Sequence, residues 1–475
     1  MYSVHDYESI INYARKLEGL TLREKLNGSY NIGGGKGNLG VLVEKEYFGY
    51  KPNSRQEADF AEVGIELKVC PLKEIRRVKS SKMLLKKIGR SAKERIIITM
   101  IDYIKLAEED WNKATVRKKL KILLMFYLYD NNVEVDEQVF ELVGLWEPTE
   151  NDMLIIKNDW LLIKEKVKQG LAHEISEGDT MLLGACTKGA NSSSVRKQPF
   201  STVTARQRAF SLKRNYVDYI IEEILQSRIG QYSSKRNTLL YKVADIQSLS
   251  SHEFTFFQWL EFELNSLRYM SLVEIIMKYK IGRERKAKHY ISLVINDIIS
   301  SMCNRPLKDI AELNKTGIEI KCIVLQPNGI PKEAMSFQQI NYCEIVSETW
   351  DDSKIRDKFE NKKHLWVILQ STRMYKKQSD LGLSEIYFYG AFFWNMPITD
   401  LEGHYKVLWE DTIFKIKNNR YDEFMKQHDN PVGHIRPKAK NSIDMAPTPQ
   451  GSWAKKMSFW LNSKYISKEI KKRMG

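Results

Sequence analysis

Apolar residues recur at helical spacing over residues 4–26, 39–48, 155–170 and 216–227, and this spacing predicts helices there. Residues 63–70 (VGIELKVC) alternate and are rich in Val and Ile, which predicts a half-buried strand. Residues 119–129 read as a second, fully buried strand. A Gly-rich loop spans 28–40, a Ser/Gly-rich loop spans 187–201, and the polar segment 227–237 reads as a linker. The second half repeats this order. Gly64-Ile-Glu-Leu-Lys68 returns as Gly317-Ile-Glu-Ile-Lys321, an offset of 253 residues. Residues 118–124 (KKLKILL) return at 362–368 (KKHLWVI), and 208–213 (RAFSLK) return more weakly at 457–462 (MSFWLN). The pattern predicts an α/β protein made of one fold repeated in tandem, each copy a mixed sheet flanked by helices. The expected boundaries are 1–230, a linker at 231–250, and 251–475.

Composition narrows the class. Of 475 residues, 43% are hydrophobic and 28% charged, a globular balance. Lys plus Arg number 75 against 60 Asp plus Glu, a formal net charge of +15. Such a surface meets a polyanion, most commonly nucleic acid; composition alone does not separate DNA, RNA or an anionic membrane. The five cysteines are widely spaced without a Cys-x-x-Cys, which argues against a disulfide framework or a structural zinc site and for a reduced, cytoplasmic protein. The first residues, MYSVHDYESI, lack the basic start and apolar core of a secretory leader, and Ile122–Tyr129 is too short to span a bilayer.

Candidate chemistry centres on the strand at 63–70. Glu66 and Lys68 fall on one face of it, while Ile65, Leu67 and Val69 point into a core. Asp59 enters from the preceding turn. Two carboxylates beside a lysine suit phosphodiester hydrolysis assisted by Mg²⁺: hard oxygens for the cation, an ammonium for developing charge. The plainer reading is an exposed Glu–Lys pair on an amphipathic strand. Glu44, on a short helix, offers a third carboxylate, and Lys119 opens a buried strand where an unpaired lysine is costly. Gly35-Lys-Gly-Asn-Leu-Gly40 matches G-x-G-x-x-G, but no strand precedes it, so it reads as a turn that brings Lys36 against DNA. The segment 196–214 carries Arg196, Lys197, Arg206, Arg208, Lys213 and Arg214, interleaved with Phe200 and Phe210, and predicts a nucleic-acid surface. The eight histidines are scattered, without HExxH.

The stretches 33–70, Lys119 and 187–216, together with HEISEGDTMLLGACTKGANSSS and RAFSLK, resemble the MutH-like endonucleases. The likeness is closer to the two-domain, GATC-cutting type II restriction enzymes (the Sau-three-A type) and extends to Phe337–Trp350, His434–Pro437 and SFWLNSKYI. It implies a restriction-endonuclease-like fold and Mg²⁺-dependent hydrolysis of double-stranded DNA 5′ of GATC. It implies Asp59 and Glu66 as metal carboxylates, Lys68 as the catalytic lysine, and Glu44 and Lys119 as further active-site positions. Lys36 and the Arg208–Lys213 loop match segments that read the site. The second half is expected to act as a DNA-binding effector, with two DNA copies held at once or dimerisation on DNA as compatible arrangements. By spacing, Asp297, Glu312, Glu319 and Lys321 stand where the first half has Glu44, Asp59, Glu66 and Lys68, a candidate second site. The alternatives left open are a mismatch-repair nicking enzyme and a silent DNA-binding protein.

Overall fold

The structure is a computed structural model and describes residues 2–28, 39–50, 57–189, 193–228, 254–285, 289–439, 441 and 443–475. The chain divides into two compact units, one of residues 1–175 and 180–253, the other of 176–179 and 254–475.

In the first unit the strands are β1 (Glu66–Glu74), β2 (Arg90–Ala92), β3 (Ile96–Met100), β4 (Ile122–Leu128), β5 (Phe140–Trp146), β6 (Leu183–Thr187), β7 (Val195–Arg196), β8 (Ala205–Arg206) and β9 (Arg208–Leu212). They form a mixed sheet of order β2-β1-β4-β5, an antiparallel sheet β3-β9-β6 and a hairpin β7-β8. Only β1 and β4 pair in parallel in the mixed sheet, with Glu66 opposite Ile122. Parallel pairs are covered on both faces, and Ile122 to Phe126 are accordingly fully buried. One face packs on Ile10, Ala14, Leu42, Val43 and Phe60. The helix expected over 4–26 is two helices, Tyr7–Arg15 and Leu22–Leu26, separated by a turn in which Gly19 takes a left-handed φ of 79°. The helices expected at 155–170 and 216–227 run over Glu150–Lys168 and Arg214–Arg228.

The second unit contains β10 (Glu319–Leu325), β11 (Met335–Gln339), β12 (His364–Ser371), β13 (Ile386–Trp394), β14 (Gly433–Pro437), β15 (Met445–Pro447), β16 (Trp453–Lys455) and β17 (Met457–Leu461). Its sheets are β10-β12-β13, β11-β17-β14 and β15-β16. Here β10 and β12 are the parallel pair, with Glu319 opposite His364, and β13 adds antiparallel to β12. An aromatic-rich core that includes Phe337, Phe359, Trp366, Trp394 and Tyr405 fills it. No helix among the described residues is long and apolar enough to cross a membrane.

Candidate active site

The entry into β1 is set by backbone constraints. A short 3₁₀ turn, Ala61–Val63, ends at Gly64, whose φ of 65° lies in the left-handed region. The chain then doubles back so that Phe60 and Ile65 exchange main-chain hydrogen bonds. Within this turn Asp59 Oδ2 accepts a hydrogen bond from the Leu67 amide at 2.9 Å, which holds its carboxylate beside the strand. Glu66 opens β1 at 2% exposure, and its amide donates to the Lys121 carbonyl just ahead of β4. That junction brings Lys119, the residue that ends the turn Thr115–Lys118, alongside.

Glu66 is the centre of the arrangement. Lys68 Nζ donates to Oε1 at 2.6 Å, and Lys119 Nζ donates to the same oxygen at 3.2 Å. Oε2 lies 3.1 Å from Lys119 Nζ but outside hydrogen-bond geometry, so it is a buried oxygen with an ionic neighbour and no hydrogen bond among the described residues. Glu44 lies on a π-helical turn, Val43–Tyr47. Burial and the neighbouring Asp59 and Glu66 carboxylates push its carboxyl up to about 7, against the pull of Lys68 and Lys119. Burial and Glu66 likewise raise Asp59, opposed by the Leu67 amide and the two lysines. Glu44, Asp59, Glu66, Lys68 and Lys119, singled out from sequence, therefore form one electrostatic cluster.

Tyr50 joins this cluster, although the sequence pattern does not single it out. Its hydroxyl is buried without a hydrogen-bond partner among the described residues, and burial together with Asp59, Glu44 and Glu66 holds it protonated. Its ring packs on Phe60 at 5.5 Å. A tyrosine three residues beyond the turn Val43–Tyr47 carries no periodic signal, so only the fold reveals it.

Among the described residues, three carboxyl groups meet two ammonium groups, so the cluster is short of positive charge once Glu44 is ionised. Hard oxygen donors and repulsion between them fit a divalent cation such as Mg²⁺. As placed, no three acidic, His or Cys side chains among the described residues converge on one point.

The expected DNA-reading residues separate into two groups. Arg196 and Arg206 are half-buried on the β7-β8 hairpin and Arg214 is exposed, with Phe200 at the hairpin tip 77% exposed. Arg208 and Lys213 were expected at the surface; the structure buries them, at 2% and 8% exposure. The reason is topological: β9 is the middle strand of its sheet. Arg208 Nη1 donates to the Ala185 carbonyl at 2.6 Å, and Lys213 Nζ donates to the Thr180 carbonyl at 2.5 Å. Lys36 lies outside the described residues.

The second unit departs from the expected second metal site. Gly317 repeats the left-handed turn, with φ 63°, and Glu319 opens β10. Glu319 meets Lys321 at 2.9 Å, Lys358 at 3.1 Å and Lys362 at 3.9 Å. Burial opposes its charge, but hydrogen bonds and attraction from Lys321 and Lys358 bring its carboxyl down to about 2. Asp297 is instead bound through both oxygens to Arg283, at 2.5 and 2.9 Å. Glu312 lies in the helix Ala311–Thr316 and acts on Cys303. Of the four residues grouped by spacing, Glu319 and Lys321 form a pair, Asp297 is bound to Arg283, and Glu312 lies on the helix ahead of β10.

The family model for the DNA mismatch repair enzyme MutH matches residues 48–159 and 300–402. The first segment contains Asp59, Glu66, Lys68 and Lys119, with Glu44 just ahead of it; the second contains Glu312, Glu319 and Lys321 but not Asp297. The type II restriction enzyme Sau3AI of Staphylococcus aureus is 28% identical over 98% of this chain and 98% of its own length. The DNA mismatch repair protein MutH of Shewanella woodyi is 27% identical over 49% of this chain and 96% of its own, and that of Actinobacillus pleuropneumoniae serotype 3 is 26% identical over 47% and 96%. With a family segment in each half and a relative matched end to end, the chain is similar to these DNA endonucleases along both of its halves.

Proposed function

We propose that the chain is a type II restriction endonuclease that hydrolyses double-stranded DNA at a short specific site, 5′ of GATC, with Mg²⁺. The observation that carries this reading is the buried Glu66 at the head of a parallel strand pair, flanked by Lys68 and Lys119 and crowded by Asp59 and Glu44. Asp59 and Glu66 are the residues that would hold the cation. A bound divalent ion supplies Lewis-acid stabilisation of charge at the scissile phosphate. Lys68, a quarter exposed, orients the attacking water and balances charge on the phosphate, while the more buried Lys119 fixes the Glu66 carboxylate. Arg196, Arg206 and Arg214 position the duplex through its backbone.

The halves have separate roles in this reading: 1–230 cuts, 231–250 links, and 251–475 is a tandem duplicate that contacts a second stretch of DNA. The matching order of parallel and antiparallel pairs in the two units supports duplication. The end-to-end match to a restriction enzyme favours restriction over mismatch-repair nicking, since the MutH proteins match about half of this chain. The test is digestion of plasmid with and without Mg²⁺, followed by sequencing of the ends. Four-base GATC overhangs that require Mg²⁺ support the reading; nicks on one strand only, or cutting without site preference, contradict it.

A further inference from the structure

The side-chain clusters at the heads of β1 and β10 carry opposite charge balances. In the first unit three carboxylates face two lysines. In the second a single carboxylate, Glu319, faces Lys321, Lys358 and Lys362 within 4 Å. A fourth lysine, Lys438, closes the group: its Nζ donates to the Phe337 carbonyl at 3.3 Å, and burial together with Lys321 and Lys358 lowers its pKa. Lys321 and Lys358 lie 5.4 and 5.8 Å from the centre of the Phe337 ring. Beneath them His364 takes the strand position that Ile122 holds in the first unit. It is fully buried, and neither ring nitrogen has a hydrogen-bond partner among the described residues.

We propose that this lysine cluster is an anion site that takes a phosphate group where the first unit takes a divalent cation. The side chains of Lys321, Lys358 and Lys362 are 22–32% exposed, so they are reachable by a solute yet partly stripped of water. Ammonium groups so placed are strong oxyanion donors. Glu319 holds them together and competes with the incoming anion. The neutral, unpartnered imidazole of His364 adds no negative charge. A cation would have one carboxylate and four repelling lysines. The shared chemistry is a phosphate oxyanion, supplied by a DNA backbone or by free phosphate, and the inference stands whether or not the first unit cuts.

Calorimetric titration of the full chain with inorganic phosphate, without divalent metal, tests it. Saturable binding is expected, weakened about tenfold by Lys358→Gln or Lys321→Gln, the loss of one charge-assisted hydrogen bond. Glu319→Gln is expected to tighten phosphate binding, a gain that misfolding does not produce; a metal site would instead lose affinity for Mn²⁺ in the same variant. Duplex binding then tells the sources apart. If the anion is a DNA phosphate, Lys358→Gln lowers the salt slope by about one unit; if it is free phosphate, the slope is unchanged while phosphate affinity falls. No saturable phosphate binding, indifference to Lys358→Gln, or weaker binding in Glu319→Gln overturns the proposal.

Discussion

At the scale of the residue, Glu66 does two jobs that mutation separates. It is the hydrogen-bonded counterion of a lysine whose side chain is only 11% exposed, and in the proposed reaction it holds the cation. Glu66→Gln leaves Lys119 buried without its carboxylate, and breaking a buried pair costs about 3–5 kcal/mol. We expect a lower urea midpoint in Glu66→Gln, partial recovery in Glu66→Gln/Lys119→Gln, and no cutting in either. A double mutant no more stable than the single one contradicts the pairing. Glu44 sets a pH dependence. With its carboxyl raised to about 7, it is protonated below that pH, so cation binding and single-turnover cutting are expected to rise as pH climbs through about 7. A profile flat from pH 6 to 8 contradicts this. His364 sets a pH dependence of stability. Burial, first, and the lysines around it lower its folded pKa from 6.5 to about 3, so it stays neutral in the fold. The unfolded chain takes up a proton at 6.5. Stability tied to His364 is therefore whole above pH 6.5 and lost as pH falls from there toward 3, with a slope of about 1.4 kcal/mol per pH unit. His364→Phe should reduce the loss between pH 6.5 and 5 in paired denaturant melts; an equal loss in both proteins contradicts the assignment.

At the scale of the element, the parallel pair was legible because burial writes itself into composition: Ile122 to Phe126 is apolar throughout, and Val63 to Cys70 alternates. The cluster at Glu66 followed, since a strand period of two fixes which face Glu66 and Lys68 share. Order within a sheet is not written that way. The charges of Arg208 and Lys213 signalled a surface, whereas a central place for β9 buries both. Pairing at a distance was equally hidden. Asp297 has the spacing of Glu44, yet Arg283, 14 residues upstream, claims it. Likewise the exchange of Ile122 for His364 is visible only once register is known. A stability prediction follows. Arg208→Ala removes a buried guanidinium bonded to Ala185, so it should destabilise the chain by more than about 1 kcal/mol, where a surface reader would change stability by about 0.5 kcal/mol or less. Urea unfolding of the variant decides between them.

At the scale of the whole molecule, both units open a parallel pair with Gly-Ile-Glu-x-Lys, and their charge then diverges. One head gathers carboxylates around Glu66; the other surrounds Glu319 with lysines. Cutting is then expected at the first head alone. The most direct measurement is cleavage of a plasmid with one GATC site by four proteins: the natural chain, Glu66→Ala, Glu319→Ala and the double variant, each with and without Mg²⁺. Mg²⁺-dependent GATC ends are expected from the natural chain and from Glu319→Ala, and none from either protein that lacks Glu66. GATC-specific cutting by Glu66→Ala that disappears when Glu319→Ala is added would contradict this.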